Sequence, residues 1–139
     1  MSKINKSELV QVFNQEIMKV QPRSLGLMDP AEMAFSVKAL REEVTEMMEA
    51  YDLGDLVGVV DALIDLDFFR RGILYKHGIT PDLYDKLFAV VWGKNMEKRL
   101  GTPKATRCEL AMDATKPDDW VGPEDQIRAL LEEHMDRGE

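Results

Sequence analysis

Among its 139 residues the sequence has one cysteine, two histidines and two tryptophans, and no apolar run of eighteen residues. Each shortage removes a class of function. The lone Cys108 forms no internal disulfide, and nothing near it has metal-ligand spacing, so it reads as a small inert thiol. Without a long apolar run no segment spans a membrane, and the opening MSKINKSELV lacks the apolar stretch of a signal peptide. A cytoplasmic location is therefore expected. There is no G-x-x-x-x-G-K loop and no G-x-G-x-x-G turn, so a bound nucleotide must be held through a metal and side chains. Neither His77 nor His134 follows a glutamate by three residues, which argues against a ferritin-like di-iron centre. No serine or cysteine nucleophile has a histidine partner, and both histidines read as surface groups, His77 close to a helix C-terminus that favours its cation. An excess of positive charge is also missing. The net charge of -8 argues against nucleic acid as a general partner.

With 45% hydrophobic and 32% charged residues the chain reads as soluble and globular, and its length fits one domain over residues 1–139. Charge is unevenly ordered. Residues 51–69 hold five acidic and no basic side chains, whereas residues 70–107 hold nine basic and three acidic ones. That order suits a metal bound by carboxylates with phosphates bound next to it.

Five helices are legible, and no strand. Ser7 is placed to cap a first helix reaching about Val20. Asp29-Pro30-Ala31-Glu32 offers an N-cap, a proline at the first helical position and a capping-box glutamate. The second helix then runs through Met33, Val37, Leu40, Val44, Met47 and Tyr51, spacings that draw one apolar stripe. A third helix starts after Gly54-Asp55 and extends to about His77, where Gly78 ends it. Thr80-Pro81-Asp82 opens a fourth that reaches Leu100-Gly101. Thr102 to Gly122 shows little periodicity and reads as extended and irregular; Pro123-Glu124-Asp125 begins a short last helix.

The acidic residues carry the chemistry. Glu43 and Glu46 lie 60° apart on neighbouring helical turns, with Glu43 at the margin of the apolar stripe, so the two can share a ligand. Asp61 and Asp65 lie 40° apart with Val57, Phe68 and Phe69 on the same face. Buried carboxylates are costly unless they meet a metal or a cation, and Arg70 and Arg71 are the nearby cations. An all-oxygen set suits Mg²⁺, with Mn²⁺ as the other option, rather than zinc. An ordinary solvated acidic face is the plain alternative for Glu42, Glu43, Glu46 and Glu49.

In their order EEVTE (Glu42 to Glu46), VDALIDLDFF (Val60 to Phe69), NMEK (Asn95 to Lys98) and KPDDWVGPE (Lys116 to Glu124), these pieces resemble the all-α nucleoside triphosphate pyrophosphohydrolases, the MazG-like and phosphoribosyl-ATP pyrophosphohydrolase-like group. The resemblance implies hydrolysis of a nucleoside triphosphate between its α and β phosphates, giving monophosphate and pyrophosphate. It further implies Glu43, Glu46 and Asp61 as metal ligands, Glu42 as a further ligand or, with Glu46, a catalytic carboxylate that activates water, and Asn95 and Lys98 as phosphate-side or nucleotide-side contacts; Asp65, one turn beyond Asp61, is the candidate to substitute for a missing metal ligand. Lys94, Lys104, Arg107 and Trp120 complete the candidate substrate set, the cations to stabilise the leaving pyrophosphate and Trp120 to cover the base, with a subunit contact or a place in the core as its other readings. One departure stands out: the family commonly carries Glu-x-x-Asp on the third helix, and three residues before Asp61 this chain has Gly58.

The expected architecture is all-α, a four-helix-type bundle with an irregular C-terminal segment and a short last helix. The third helix is apolar on nearly every side, so a homodimer or a dimer of dimers is expected, with Leu56, Val60, Leu63, Ile64 and Phe68 as interface or core. The leading function is a metal-dependent pyrophosphohydrolase acting on deoxynucleoside or noncanonical triphosphates. The alternatives are a catalytically silent nucleotide-binding or regulatory module, motivated by Gly58, and an oligomeric scaffold whose acidic face is only solvated charge.

Overall fold

A computed structural model describes residues 3–101 and 113–138, in two compact units, Met1–Pro81 and Asp82–Glu139. The first is built from α1 (Lys6–Glu16), α2 (Pro30–Asp52) and α3 (Leu56–Lys76). As the sequence predicts, Asp29 caps α2, its Oδ2 accepting from the amides of Ala31 and Glu32, and Pro30 sits in the first turn. α1 departs from the expectation. Asn5, not Ser7, caps it by accepting from the Glu8 amide. The Ser7 hydroxyl instead accepts a 2.6 Å hydrogen bond from Arg71, which also donates to Asp67 at 3.0 Å, so one guanidinium links α1 to α3. Tyr75 adds a second tie, donating to the Val20 carbonyl at 2.8 Å.

The packing of α2 against α3 is the most extensive in the unit. Between them the chain reverses over three residues: Gly54 takes a left-handed φ of 70°, and Asp55 caps α3 by accepting from the Gly58 amide at 3.0 Å. At the other end of α3, Gly78 has φ 77°, and a β-carbon there would lie 2.6 Å from the Ser24 carbonyl oxygen. The Gly26 amide donates to the His77 carbonyl at 3.0 Å, so the loop before α2 clasps the end of α3.

In the second unit α4 (Pro81–Met96) stops short of Leu100-Gly101, and a short antiparallel ladder follows, β1 (Arg99–Gly101) paired with β2 (Asp113–Thr115). This corrects the strand-free expectation. β2 lies inside the stretch read as irregular, and three-residue strands are too brief for a period-two pattern to be seen. Gly101 permits the approach, since a β-carbon there would lie 2.9 Å from Thr115 Oγ1. The last helix, α5 (Glu124–Asp136), forms where expected. His134, read as a surface group, is buried on it.

The described chain is therefore mostly helical with one small sheet. Among the described residues no helix is long and apolar enough to cross a membrane. Few apolar side chains are buried: Val10, Met28, Ala62, Tyr75 and Leu83. Leu56, Val60, Leu63, Ile64 and Phe68 are all exposed, Leu56 by 74%, so none of the five is core of the single chain.

The two left-handed glycines separate backbone strain from crowding. Gly54→Ala, with open space around it, is expected to cost about 1 kcal/mol for its backbone conformation alone. Gly78→Ala also meets the Ser24 backbone and should cost roughly 1–2 kcal/mol more, read from urea midpoints at constant slope. Equal losses would contradict the clasp.

Candidate functional site

Glu46 on α2 and Asp61 and Asp65 on α3 lie near enough to Glu43 on α2 for their charges to act on it. Burial pushes the Glu43 carboxyl above its ordinary value, and the charges of Glu46, Asp65 and Asp61, with a hydrogen-bonding approach by Glu46, push it the same way. Glu43 is half-buried, and its Oε2 is buried with no hydrogen-bond partner. Such an orphaned oxygen is costly. Asp65 is half-buried, while Glu46 and Asp61 are exposed. Glu42 is exposed and is not among the groups that act on Glu43.

Among the described residues no ion pair neutralises this cluster. Arg70 and Arg71 both reach Asp67 instead, at 2.6 and 3.0 Å. Burial acts to raise the Asp67 carboxyl, but the hydrogen bonds and charges of the two arginines outweigh it and hold it below the ordinary value. Among the described residues neither Asp61 nor Asp65 has an ion-pair partner, so pairing with Arg70 or Arg71 is not what keeps them there.

The donor set fits a hard divalent cation: oxygen atoms only, a net negative field, and one buried oxygen lacking a partner. The fit is one of chemistry and neighbourhood rather than a finished cage. Among the described residues no three His, Cys, Asp or Glu side chains stand close enough to hold a metal ion. Glu46 and Asp61, being exposed, have the rotamer freedom to close in.

Gly58 has a packing reason. A β-carbon at this position would lie 2.8 Å from that of Ala50 and 2.7 Å from Asp55 Oδ2, so the end of α2 and the start of α3 meet too closely for any side chain. A glutamate would have to part the hairpin. Asp65, one turn beyond Asp61 and acting on Glu43, is the carboxylate available in its place.

In the second unit, Trp120 gathers the candidate substrate residues. Its Nε1 donates to the Lys94 carbonyl at 3.1 Å, and the ammonium groups of Lys98 and Lys116 lie 5.3 and 5.0 Å from its ring centroid. Lys94 itself pairs with Glu97 at 3.3 Å, and Asn95 is exposed. Lys116 is a member of this group that sequence reasoning passed over, although its place in KPDDW, four residues before Trp120, is a visible signal. Lys104 and Arg107 lie outside the described residues.

A model of the phosphoribosyl-ATP pyrophosphohydrolase family matches residues 7–91, which run from α1 through most of α4 and include all four carboxylates. No curated protein matches the chain.

A raised carboxyl stabilises the fold at acid pH, and that contribution is lost as pH rises through the raised value. Glu43→Gln should therefore melt at a higher temperature than the native chain at neutral pH without divalent cation. The gap should close as pH falls toward 4.5, the ordinary glutamate value, where the native side chain is itself protonated. A gap that does not change with pH would show that the crowding of charge is not real.

Proposed function

The chain belongs to the phosphoribosyl-ATP pyrophosphohydrolase family, within the MazG-like nucleoside triphosphate pyrophosphohydrolases, and from that premise we propose that it hydrolyses a nucleoside or deoxynucleoside triphosphate between the α and β phosphates. The observation that carries the reading is the crowding of Glu46, Asp61 and Asp65 around a Glu43 oxygen that is buried without a partner. Glu43, Glu46, Asp61 and Asp65 would hold Mg²⁺ or Mn²⁺. A bound divalent cation neutralises the triphosphate and lowers the pKa of a coordinated water.

The chain's own residues then divide the work. Glu46, with Glu42 as the second candidate, accepts the proton of the attacking water. The water oxygen bonds to the α phosphorus, the bridging oxygen leaves with the β phosphorus, and pyrophosphate carries away the electron pair. Lys94, Asn95 and Lys98, with Lys104 and Arg107, bind the phosphates and offset charge on the leaving group. Trp120 is held by its bond to Lys94 and by two lysines, which supports a role in positioning these cations.

The bare apolar face of α3, with Leu56 and Val57 74% and 79% exposed, supports a homodimer or a dimer of dimers. A monomer by sedimentation would contradict that. Gly58 favours a second reading, a module that binds nucleotide without turnover, because the packing at Ala50 excludes the usual acidic side chain.

Pyrophosphate release from a panel of ribo- and deoxynucleoside triphosphates with Mg²⁺ or Mn²⁺ decides between them. The first reading predicts turnover that yields pyrophosphate and falls at least a hundredfold, about 2.7 kcal/mol, in Glu46→Ala. Native protein that binds nucleotide but releases neither pyrophosphate nor orthophosphate would support the second.

A further inference from the structure

Beyond the carboxylates, α1, α2 and α3 line a partly open cavity of about 170 Å³. Its walls are aromatic: Phe13 from α1, Phe35 from α2, and Phe68 and Phe69 from α3. Phe13 and Phe68 meet edge to face, with centroids 4.9 Å apart. Two polar side chains, Asn14 and Ser36, also line it, and both are more than nine-tenths buried, at 5% and 6% exposure. A helical core would fill such a space and would not put a carboxamide and a hydroxyl beside it. Apolar walls with a few placed polar groups are the make-up of a small-molecule site. The volume is below the ~300 Å³ at which pockets begin to enclose drug-sized ligands, so it has room for a flat ring and not for a whole nucleotide.

The polar groups are already partly committed, and that decides what they can read. Asn14 Nδ2 donates to the Val10 carbonyl at 2.9 Å and packs on α3 at Gly72, where a β-carbon would lie 3.5 Å from it. Those contacts fix which end of the carboxamide is nitrogen, leaving Oδ1 as an acceptor. Ser36 Oγ donates to the Glu32 carbonyl at 2.9 Å, so its oxygen too is left to accept. The cation at the cavity, Lys76, is held by Glu32 at 3.0 Å. An aromatic slot with spare acceptors calls for a flat ring that brings a donor.

Its position supplies the rest. Ala39, which lines the cavity, precedes Glu43 by four residues, and Phe69 follows Asp65 by four, so the cavity begins about one helical turn from the carboxylates along both helices. We infer that this cavity takes the base of the nucleotide whose phosphates meet the carboxylates, and that it selects the 4-aminopyrimidine edge that cytosine and adenine share. The inference rests on the nucleotide reading proposed above. The exocyclic amine donates to Asn14 Oδ1 while the phenylalanines pack against the ring. Uracil and thymine carry an oxygen where that amine stands, which sets lone pairs against lone pairs.

The test is binding of dCMP, dAMP, dUMP and dTMP to the full chain without divalent cation, by calorimetry. It needs no hydrolysis, so it stands or falls apart from the reaction. The expected result is at least tenfold tighter binding of dCMP or dAMP than of dUMP and dTMP, the comparison of the first two showing which ring fits. Asn14→Leu, close in volume, should erase the preference, as Ser36→Ala should weaken it. Phe35→Ala, at a side chain 65% exposed and so safe for folding, should weaken every ligand about tenfold. Equal or tighter binding of dUMP, no binding of any monophosphate, or affinities untouched by Phe35→Ala would each overturn the assignment.

Discussion

Burial and the charges of Glu46, Asp65 and Asp61 all disfavour a charged Glu43 within one helical hairpin, and a fold keeps such an arrangement only where something else holds the hairpin together. Here that is the fit of α2 on α3, close enough at Ala50 and Gly58 to exclude a side chain, and closed by the Asp55 cap and the left-handed Gly54. At the far end the loop before α2 clasps Gly78, Arg71 pins α3 to α1, and Tyr75 ties α3 to Val20 in the segment that follows α1. Between these two fastenings Glu43 is held where burial and its acidic neighbours both disfavour its charge. Perturbed acids of this kind gather at functional sites.

The same hairpin explains the rest of the site. Because Arg70 and Arg71 are engaged by Asp67, they are not available to quench Asp61 or Asp65. Because Gly58 is a contact point, acidity on α3 sits further along, at Asp61 and, one turn beyond it, at Asp65. The aromatic cavity then occupies the next turn of the same two helices, so a metal-bound triphosphate and a flat base would lie in line along one hairpin.

Much of this was legible in the sequence, for reasons that differ by element. The carboxylate pairs were readable because helical spacing maps directly onto faces, and the cap at Asp29 because its chemistry is local. The strand pair at Arg99 and Thr115 was not, since three residues carry no period and the pairing partner is remote in sequence. Ser7 illustrates a different limit: a good capping residue was taken by Arg71, sixty-four positions away, leaving Asn5 to cap. The aromatic cavity was hidden because Phe13, Asn14, Phe35 and Ser36 come from two helices and form no motif. Gly58 read as a missing ligand, and only the structure gave its positive reason, the nearness of Ala50.

The acidic cluster on α2 and α3 is proposed to bind a divalent cation, with Asp65 serving where Gly58 cannot. The direct measurement is Mn²⁺ binding, followed by electron paramagnetic resonance, to the native chain and to Asp65→Asn. The account predicts saturable binding by the native chain, weakened at least tenfold by the substitution, about 1.4 kcal/mol, with no loss of stability in metal-free buffer. Native and variant chains that bind Mn²⁺ equally well, or a native chain that binds none, would contradict it.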